Sequence, residues 1–150
     1  MVGSRDYFEV EAIPGNFNVA TAPRQPGSAF KPIVYATAFM EGYTPETVLF
    51  DVPTQFSTTC YYDGTPLPGY SADSCYFPSN YDGDFRGPVT IREALAQSLN
   101  IPAVKTLYLV GVKNAISTAQ KLGITTLDIN GNYGLSLVLG SGETSLLQLT

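Results

Sequence analysis

Residues 24–32 read Arg-Gln-Pro-Gly-Ser-Ala-Phe-Lys-Pro, a turn that leads directly into an apolar segment. Ser28 and Lys31 stand three residues apart, so a helix that begins at Gly27 or Ser28 places both side chains on one face. The N–H groups of a helix start lack intrahelical partners and carry partial positive charge, which stabilises an oxygen that becomes negative during a reaction. A hydroxyl and an amine in this setting suit acyl transfer.

The segment after Lys31 predicts a helix that belongs in a core. Residues 33–40 are apolar almost all round, and Gly42 ends the pattern. Earlier in the chain, apolar and acidic residues alternate over 7–12 and apolar residues alternate again over 17–19, which indicates a hairpin or two edge segments.

The composition indicates one soluble domain with a real core. The chain has 150 residues, 44% of them hydrophobic and 14% charged, with a net charge of −5. Its eight basic residues are scattered rather than clustered, so nucleic acid is a poor candidate partner. No stretch approaches the roughly 18 consecutive apolar residues of a membrane span.

The sequence contains no histidine, which excludes serine–histidine–aspartate triads and histidine-ligated metals. Two cysteines, outside any Cys-x-x-Cys pair, are too few for a thiolate zinc site, so we expect neither a metal nor another cofactor. A nucleophile in this chain needs another base. Lys31 can serve only if its pKa is lowered, and the apolar run after Pro32 offers the necessary desolvation.

Capping and breaking signals predict three helices between residues 90 and 122. Thr90 and Glu93 have the spacing of a capping box. Pro102 disfavours helical geometry at the residue before it and can begin a new helix. The predicted helices are 90–97, 103–110 and 112–122, the last two closed by Gly111 and Gly123.

Ser98 and Asn100 fall at the corner between the first two of these helices. Polar side chains at such a corner can point into a cleft. Taken alone, the two residues are more often ordinary helix caps. Ser98 and Asn100 become candidate site residues only in combination with Ser28 and Lys31, because the two pairs together are more specific than either alone.

Residues 43–89 form a long connection without helical periodicity, and it contains both cysteines. A connection of this length needs something to hold it. A Cys60–Cys75 disulfide would tighten it by roughly 3 kcal/mol on the chain-entropy model. We predict this disulfide because the surroundings are polar and rich in tyrosine; two reduced, partly buried thiols are the alternative.

Four stretches together resemble the transpeptidase domain of class A penicillin-binding proteins, in that family's order along the whole chain. They are residues 24–32, Asn80-Tyr81-Asp82-Gly83, residues 89–105 and Leu137-Val138-Leu139-Gly140-Ser141-Gly142-Glu143. The family's Ser-x-x-Lys and Ser-x-Asn motifs match without substitution at Ser28/Lys31 and Ser98/Asn100. The resemblance implies an α+β fold of the β-lactamase and transpeptidase type, here dominated by its helical subdomain with at most one or two N-terminal strands.

The resemblance implies a D,D-transpeptidase that cross-links peptidoglycan stem peptides and is acylated by β-lactams. Ser28 would be the acylated nucleophile and Lys31 its base. Ser98 would pass a proton to the leaving amine, and Asn100 would hydrogen-bond Lys31 and the amide of the substrate.

The family's third motif, Lys-(Ser/Thr)-Gly, is missing, since Lys105-Thr106 is followed by Leu107. We therefore expect residues 1–150 to be the N-terminal part of a transpeptidase domain whose remaining sheet follows, and to be inactive alone. The sequence also stops in what reads as the first turns of a helix after Ser145. By resemblance, a glycosyltransferase domain and a membrane anchor precede the domain, which works outside the cytoplasm.

Two other functions are compatible with the residues. One is a non-catalytic penicillin-recognising domain that binds peptide or β-lactam for sensing or scaffolding. The other, less favoured, is a β-lactamase in which Glu143 activates water; residues 140–145 read more simply as a loop with a charge near a helix start.

Overall fold

The computed structural model describes residues 3–8, 11 and 15–150. The helices and strands, in chain order, are α1 (Lys31–Met40), β1 (Val48–Asp51), β2 (Gly87–Thr90), α2 (Ile91–Ala96), α3 (Asn100–Val110) and α4 (Val112–Lys121). Short 3-10 helices cover Gly27–Phe30, Ala72–Ser74, Leu135–Leu139 and Leu146–Leu149. This mixture of helices and a small sheet confirms the α+β class.

Helix α1 is the centre of the core. It packs against α3 and α4, and the 3-10 helix Leu135–Leu139 closes α3 from another side. Val34, Tyr35 and Ala38 are fully buried, as expected for a helix that is apolar almost all round. The burial ends at the last turn, where the side chain of Met40 is largely exposed.

Strands β1 and β2 form an antiparallel pair in which Val48 faces Thr90 and Asp51 faces Gly87. Leu49 and Asp51 point inward, while Val48 and Phe50 are exposed. Both strands lie in the middle of the chain rather than at the N-terminus. Of the residues in the predicted N-terminal hairpin, 9–10 and 12–14 lie outside the described residues; 7–8, 15–16 and 19–20 form turns, and 17–18 form no strand.

The helices after β2 confirm the capping signals. The hydroxyl of Thr90 accepts the Glu93 N–H at 3.2 Å, and the Glu93 carboxylate accepts the Thr90 N–H at 2.8 Å. Helix α3 begins at Asn100, three residues before the predicted start. A proline in the first turn removes an N–H that has no helical partner, so Pro102 does not delay the helix.

The connection between β1 and β2 is held by a disulfide. Cys60 and Cys75 are bonded, with their Cα atoms 5.7 Å apart. Nearby, the Phe56 N–H donates to the Tyr76 carbonyl at 3.0 Å. Burial raises the pKa of the Tyr76 phenol to about 12. This closed segment leads to residues 79 and 80, which contact the start of α3.

The last described segment returns to the residues in front of α1. Arg24 and Thr144 exchange two backbone hydrogen bonds of 2.9 Å. Ser145 and Gln148 form the capping box expected at a helix start, and the helix is a 3-10 turn. Within residues 3–8, 11 and 15–150, no helix is both long and apolar enough to cross a bilayer.

Candidate active site

Ser28 and Lys31 occupy a tight 3-10 turn that continues into α1. The Lys31 N–H donates to the Ser28 carbonyl. Because a 3-10 helix has three residues per turn, side chains three positions apart lie one above the other. The structure thus gives Ser28 and Lys31 the shared face that their spacing predicts.

The two side chains meet different environments. Ser28 is exposed, and its hydroxyl has no hydrogen-bond partner among the described residues. Lys31 is buried, with only 1% of its surface exposed. Burial lowers the pKa of the Lys31 ammonium to about 8. A buried amine of this pKa beside an accessible hydroxyl is the arrangement that a serine–lysine nucleophile requires.

Three acceptors surround the Lys31 Nζ atom, and all come from the corner between α2 and α3. Nζ donates to the Ser98 carbonyl at 2.5 Å, to Ser98 Oγ at 3.2 Å and to Asn100 Oδ1 at 2.7 Å. An ammonium has three N–H donors, so the protonated form is fully paired. The structure therefore brings Lys31, Ser98 and Asn100 together, and Ser28 precedes Lys31 by one 3-10 turn without a hydrogen bond to these side chains among the described residues.

Ser98 has an unusual backbone. Its φ of 54° is the only positive φ among the described residues other than glycine. The Leu99 N–H donates to the Ala94 carbonyl and the Ser98 N–H to the Leu95 carbonyl, which is the Schellman ending of a helix with serine where glycine is usual. This conformation costs a non-glycine residue about 1–2 kcal/mol. In this conformation, both the carbonyl oxygen and Oγ of Ser98 accept hydrogen bonds from Lys31.

A close backbone contact fixes the Ser28 turn, and the sequence did not identify it. A Cβ on Gly140 would lie 2.2 Å from the Gly27 nitrogen and 2.4 Å from its Cα. Only glycine allows the segment 140–144 to pack this tightly against residue 27. Gly140 stands in the stretch 137–143 quoted above, but nothing local in that stretch indicates its partner.

Other candidate groups lie outside this arrangement. Glu143 is exposed, and within the described part of the chain its side chain forms no hydrogen bond or ion pair with Ser28, Lys31, Ser98 or Asn100. Lys105 donates to the Phe50 carbonyl at 2.6 Å and so ties α3 to β1. Among the described residues, no group of three or more acidic or cysteine side chains could hold a metal ion.

The architecture has close counterparts among solved structures. Penicillin-binding protein 1A from Haemophilus influenzae superimposes with a TM-score of 0.72 and 28% identity, over 89% of this chain and 18% of that chain. A penicillin G acyl-enzyme complex of penicillin-binding protein A from Mycobacterium tuberculosis superimposes with a TM-score of 0.69 and 23% identity, over 92% of this chain and 34% of that one. The fold is that of penicillin-binding transpeptidases.

Sequence comparison defines the family. Residues 1–136 match the penicillin binding protein transpeptidase domain. Penicillin-binding protein 1A from Neisseria flavescens is 35% identical over 151 residues, which cover 99% of this chain and 17% of that protein. The chain belongs to the penicillin-binding protein transpeptidase domain family, and it spans about one sixth of the length of this curated relative.

Proposed function

We propose that the chain forms the serine–lysine part of a D,D-transpeptidase that joins peptidoglycan stem peptides through an acyl-enzyme on Ser28. The observation that carries the proposal is the buried Lys31 amine, held by Ser98 and Asn100 and following the exposed Ser28 by one 3-10 turn. With a pKa of about 8, roughly one Lys31 in ten is neutral at pH 7. An unperturbed lysine would be neutral in fewer than about one molecule in a thousand.

In the first half of the proposed reaction, Ser28 Oγ attacks the carbonyl carbon of the penultimate D-alanine. Neutral Lys31 takes the hydroxyl proton as the new C–O bond forms. The C–N bond to the terminal D-alanine then breaks. The proton reaches the departing amine through Ser98 Oγ, which lies 3.2 Å from Lys31 Nζ.

In the second half, the amine of another stem peptide attacks the ester on Ser28. The new C–N bond forms, the C–O bond breaks, and the amine proton returns through Ser98 and Lys31 to Ser28 Oγ. A β-lactam follows the first half alone, because its leaving amine stays tethered to the acyl group. Asn100 Oδ1 keeps Lys31 in place throughout, at 2.7 Å.

We further propose that residues 1–150 are an incomplete transpeptidase domain within a longer, extracytoplasmic protein. The 150 residues contain no Lys-(Ser/Thr)-Gly sequence, and the chain matches about one sixth of a full-length relative. The absent motif would supply a second oxyanion donor. Losing one such donor lowers rates by about 10²- to 10³-fold. The isolated chain is therefore expected to acylate slowly.

Labelling of the full-length protein with fluorescent penicillin tests the function. We expect a covalent adduct in the wild type, none in Ser28→Ala, and wild-type labelling in Ser117→Ala, a half-buried serine on α4 that serves as the matched control. Persistent labelling of Ser28→Ala would remove Ser28 as the nucleophile. Reversible penicillin binding without an adduct would favour the non-catalytic recognition domain instead.

A further inference from the structure

A buried carboxylate outside the proposed catalytic group lies at the end of β1. Asp51 is 0% exposed, and within the described residues no basic side chain forms an ion pair with it. Its oxygens instead accept N–H groups: both accept the side-chain amide of Asn80 at 2.9 Å, and Oδ2 also accepts the Arg86 backbone N–H at 3.0 Å. Burying a charge costs free energy unless hydrogen bonds or an ion pair compensate for the lost water. For Asp51, the N–H groups of Asn80 and Arg86 provide the hydrogen bonds.

The Asp51 carboxylate fixes which way the Asn80 amide points. The Asn80 NH₂ group donates to Asp51 and to the Asp84 carbonyl at 2.8 Å. Both partners accept only, so the amide oxygen must face the other way. There Asn80 Oδ1 accepts the backbone N–H of Asn100 at 2.7 Å.

That N–H is the first of α3, and nothing in the helix itself satisfies it. The residue before it, Leu99, has no side-chain cap. Asn80 therefore caps α3 from another part of the chain, 20 residues away. The adjoining Ser79 carbonyl accepts the side-chain NH₂ of Asn100 at 2.8 Å, which turns Asn100 Oδ1 toward Lys31.

We infer that Asp51 and Asn80 are positioning residues for the proposed reaction: the carboxylate orients Asn80, Asn80 and its neighbour Ser79 orient Asn100, and Asn100 holds the Lys31 amine. The chain of contacts is Asp51 to Asn80 at 2.9 Å, Asn80 to Asn100 at 2.7 Å and Asn100 to Lys31 at 2.7 Å. Among the described residues, neither Asp51 nor Asn80 forms a hydrogen bond with Lys31 or Ser28. The inference rests on the proposed function, because it concerns the rate at which Ser28 is acylated.

Isosteric exchanges in the full-length protein test the inference. Asn80→Asp removes both N–H donors and sets two carboxylates against each other, and Asp51→Asn sets an NH₂ group against either the Asn80 NH₂ or the Arg86 N–H. Because small misplacements of catalytic groups can cost about 10²-fold in rate, we expect each single variant to acylate roughly 10- to 100-fold more slowly with fluorescent penicillin. The double variant Asp51→Asn/Asn80→Asp restores one donor and one acceptor across the pair, and it should recover most of the loss.

Two controls separate positioning from general destabilisation. Asp82→Asn makes the same chemical change in the same loop, where the partners of Asp82 within the described part of the chain are Arg86 and the Asp84 N–H, and it should acylate at the wild-type rate. Hydrogen exchange supplies the second control: the Asn100 amide should lose protection in Asn80→Ala, which removes the Oδ1 acceptor that Asn80→Asp retains, while the amides at the middle of α3 keep theirs.

The outcomes separate a failure of the positioning role from a failure of the proposed transpeptidase function. If the wild type forms no adduct, or if Ser28→Ala still forms one, the proposed function fails. If the wild type labels through Ser28 but the single variants label at its rate, the positioning role is wrong. The role is also wrong if the single variants and Asp82→Asn slow acylation equally, or if Asn100 keeps its protection in Asn80→Ala.

Discussion

The two sides of the site are held by different kinds of contact. The Ser28 side, residues 24–31, is fixed by backbone: Gly27 packs on Gly140, and Arg24 pairs with Thr144. The Ser98 side, residues 96–100, is fixed by side-chain hydrogen bonds through Asn80 and Asn100. Backbone packing leaves no room for an added atom, whereas a hydrogen-bonded side responds to changes in donors, acceptors and protons.

The largest effect is expected where the backbones touch. Gly140→Ala places a methyl group within 2.2–2.8 Å of the Gly27 backbone, and its φ of +89° already disfavours alanine. Because backbone atoms must move, we expect a loss of at least ~3 kcal/mol in the free energy of unfolding, together with slower acylation of Ser28. Denaturant unfolding and penicillin labelling measure the two effects.

Gly42 provides the matched control for this variant. Its φ is +95°, but a Cβ there meets nothing within 4 Å. Gly42→Ala should therefore lose only the ~1–2 kcal/mol of left-handed backbone and keep the acylation rate. If both variants lose the same free energy of unfolding, the backbone around Gly27 moves easily to admit a methyl group at residue 140. The Ser28 side is then not fixed by backbone packing.

A smaller effect is expected from pH on the hydrogen-bonded side. Burial lowers the pKa of Lys31 from 10.5 to about 8 in the folded protein. Between these two values the unfolded chain binds more protons than the folded one, so stability rises with pH across that window and levels off above it. After a discount for partial screening of the charge, we expect a gain of ~1–2 kcal/mol.

Unfolding of the wild type and of Lys31→Met at several pH values between 7 and 10.5 isolates this contribution. The wild type should gain stability relative to the variant as pH rises through 8. The acylation rate should rise over the same range if neutral Lys31 acts as the proposed base. Parallel stability curves would show that Lys31 does not change its charge on folding.

The smallest effect is expected at the strained corner. Ser98→Gly relieves the positive φ of 54°, while Ser98→Ala keeps it; both remove the hydroxyl beside Lys31. Because glycine also frees the unfolded chain, we expect Ser98→Gly to be more stable than Ser98→Ala by less than ~1 kcal/mol. Both variants should acylate slowly. Equal stability by chemical denaturation would argue against strain at this position.

Local patterns predicted much of this protein. The spacing of Ser28 and Lys31 gave their shared face, and Thr90 with Glu93 gave the start of α2. The lack of histidine left a desolvated lysine as the base to consider. These features depend on residues within about one turn of each other or on composition, so they can be read along the chain. The resemblance, carried by short motifs, led to the family that the comparisons show.

The same reading missed the features that depend on distant partners. It placed the start of α3 three residues late, because the cap on Asn100 comes from Asn80 rather than from a neighbouring residue. It gave no role to Asp51, since an aspartate that ends a strand carries no local sign of burial. The stretch that contains Gly140 contributes to the family resemblance, but no local pattern indicates that this glycine contacts Gly27.

The sequence by itself determined the shared face of Ser28 and Lys31, the proposed nucleophile and base, and the helix that follows them, because 3-10 and α-helical periods act within a few residues. Only the tertiary structure decided how the Lys31 amine is held: its acceptors lie 67 and 69 residues away, and Asp51, which accepts the Asn80 amide beside them, lies at the end of β1. Such contacts form when distant segments pack together, and their partners leave no periodic pattern in the chain.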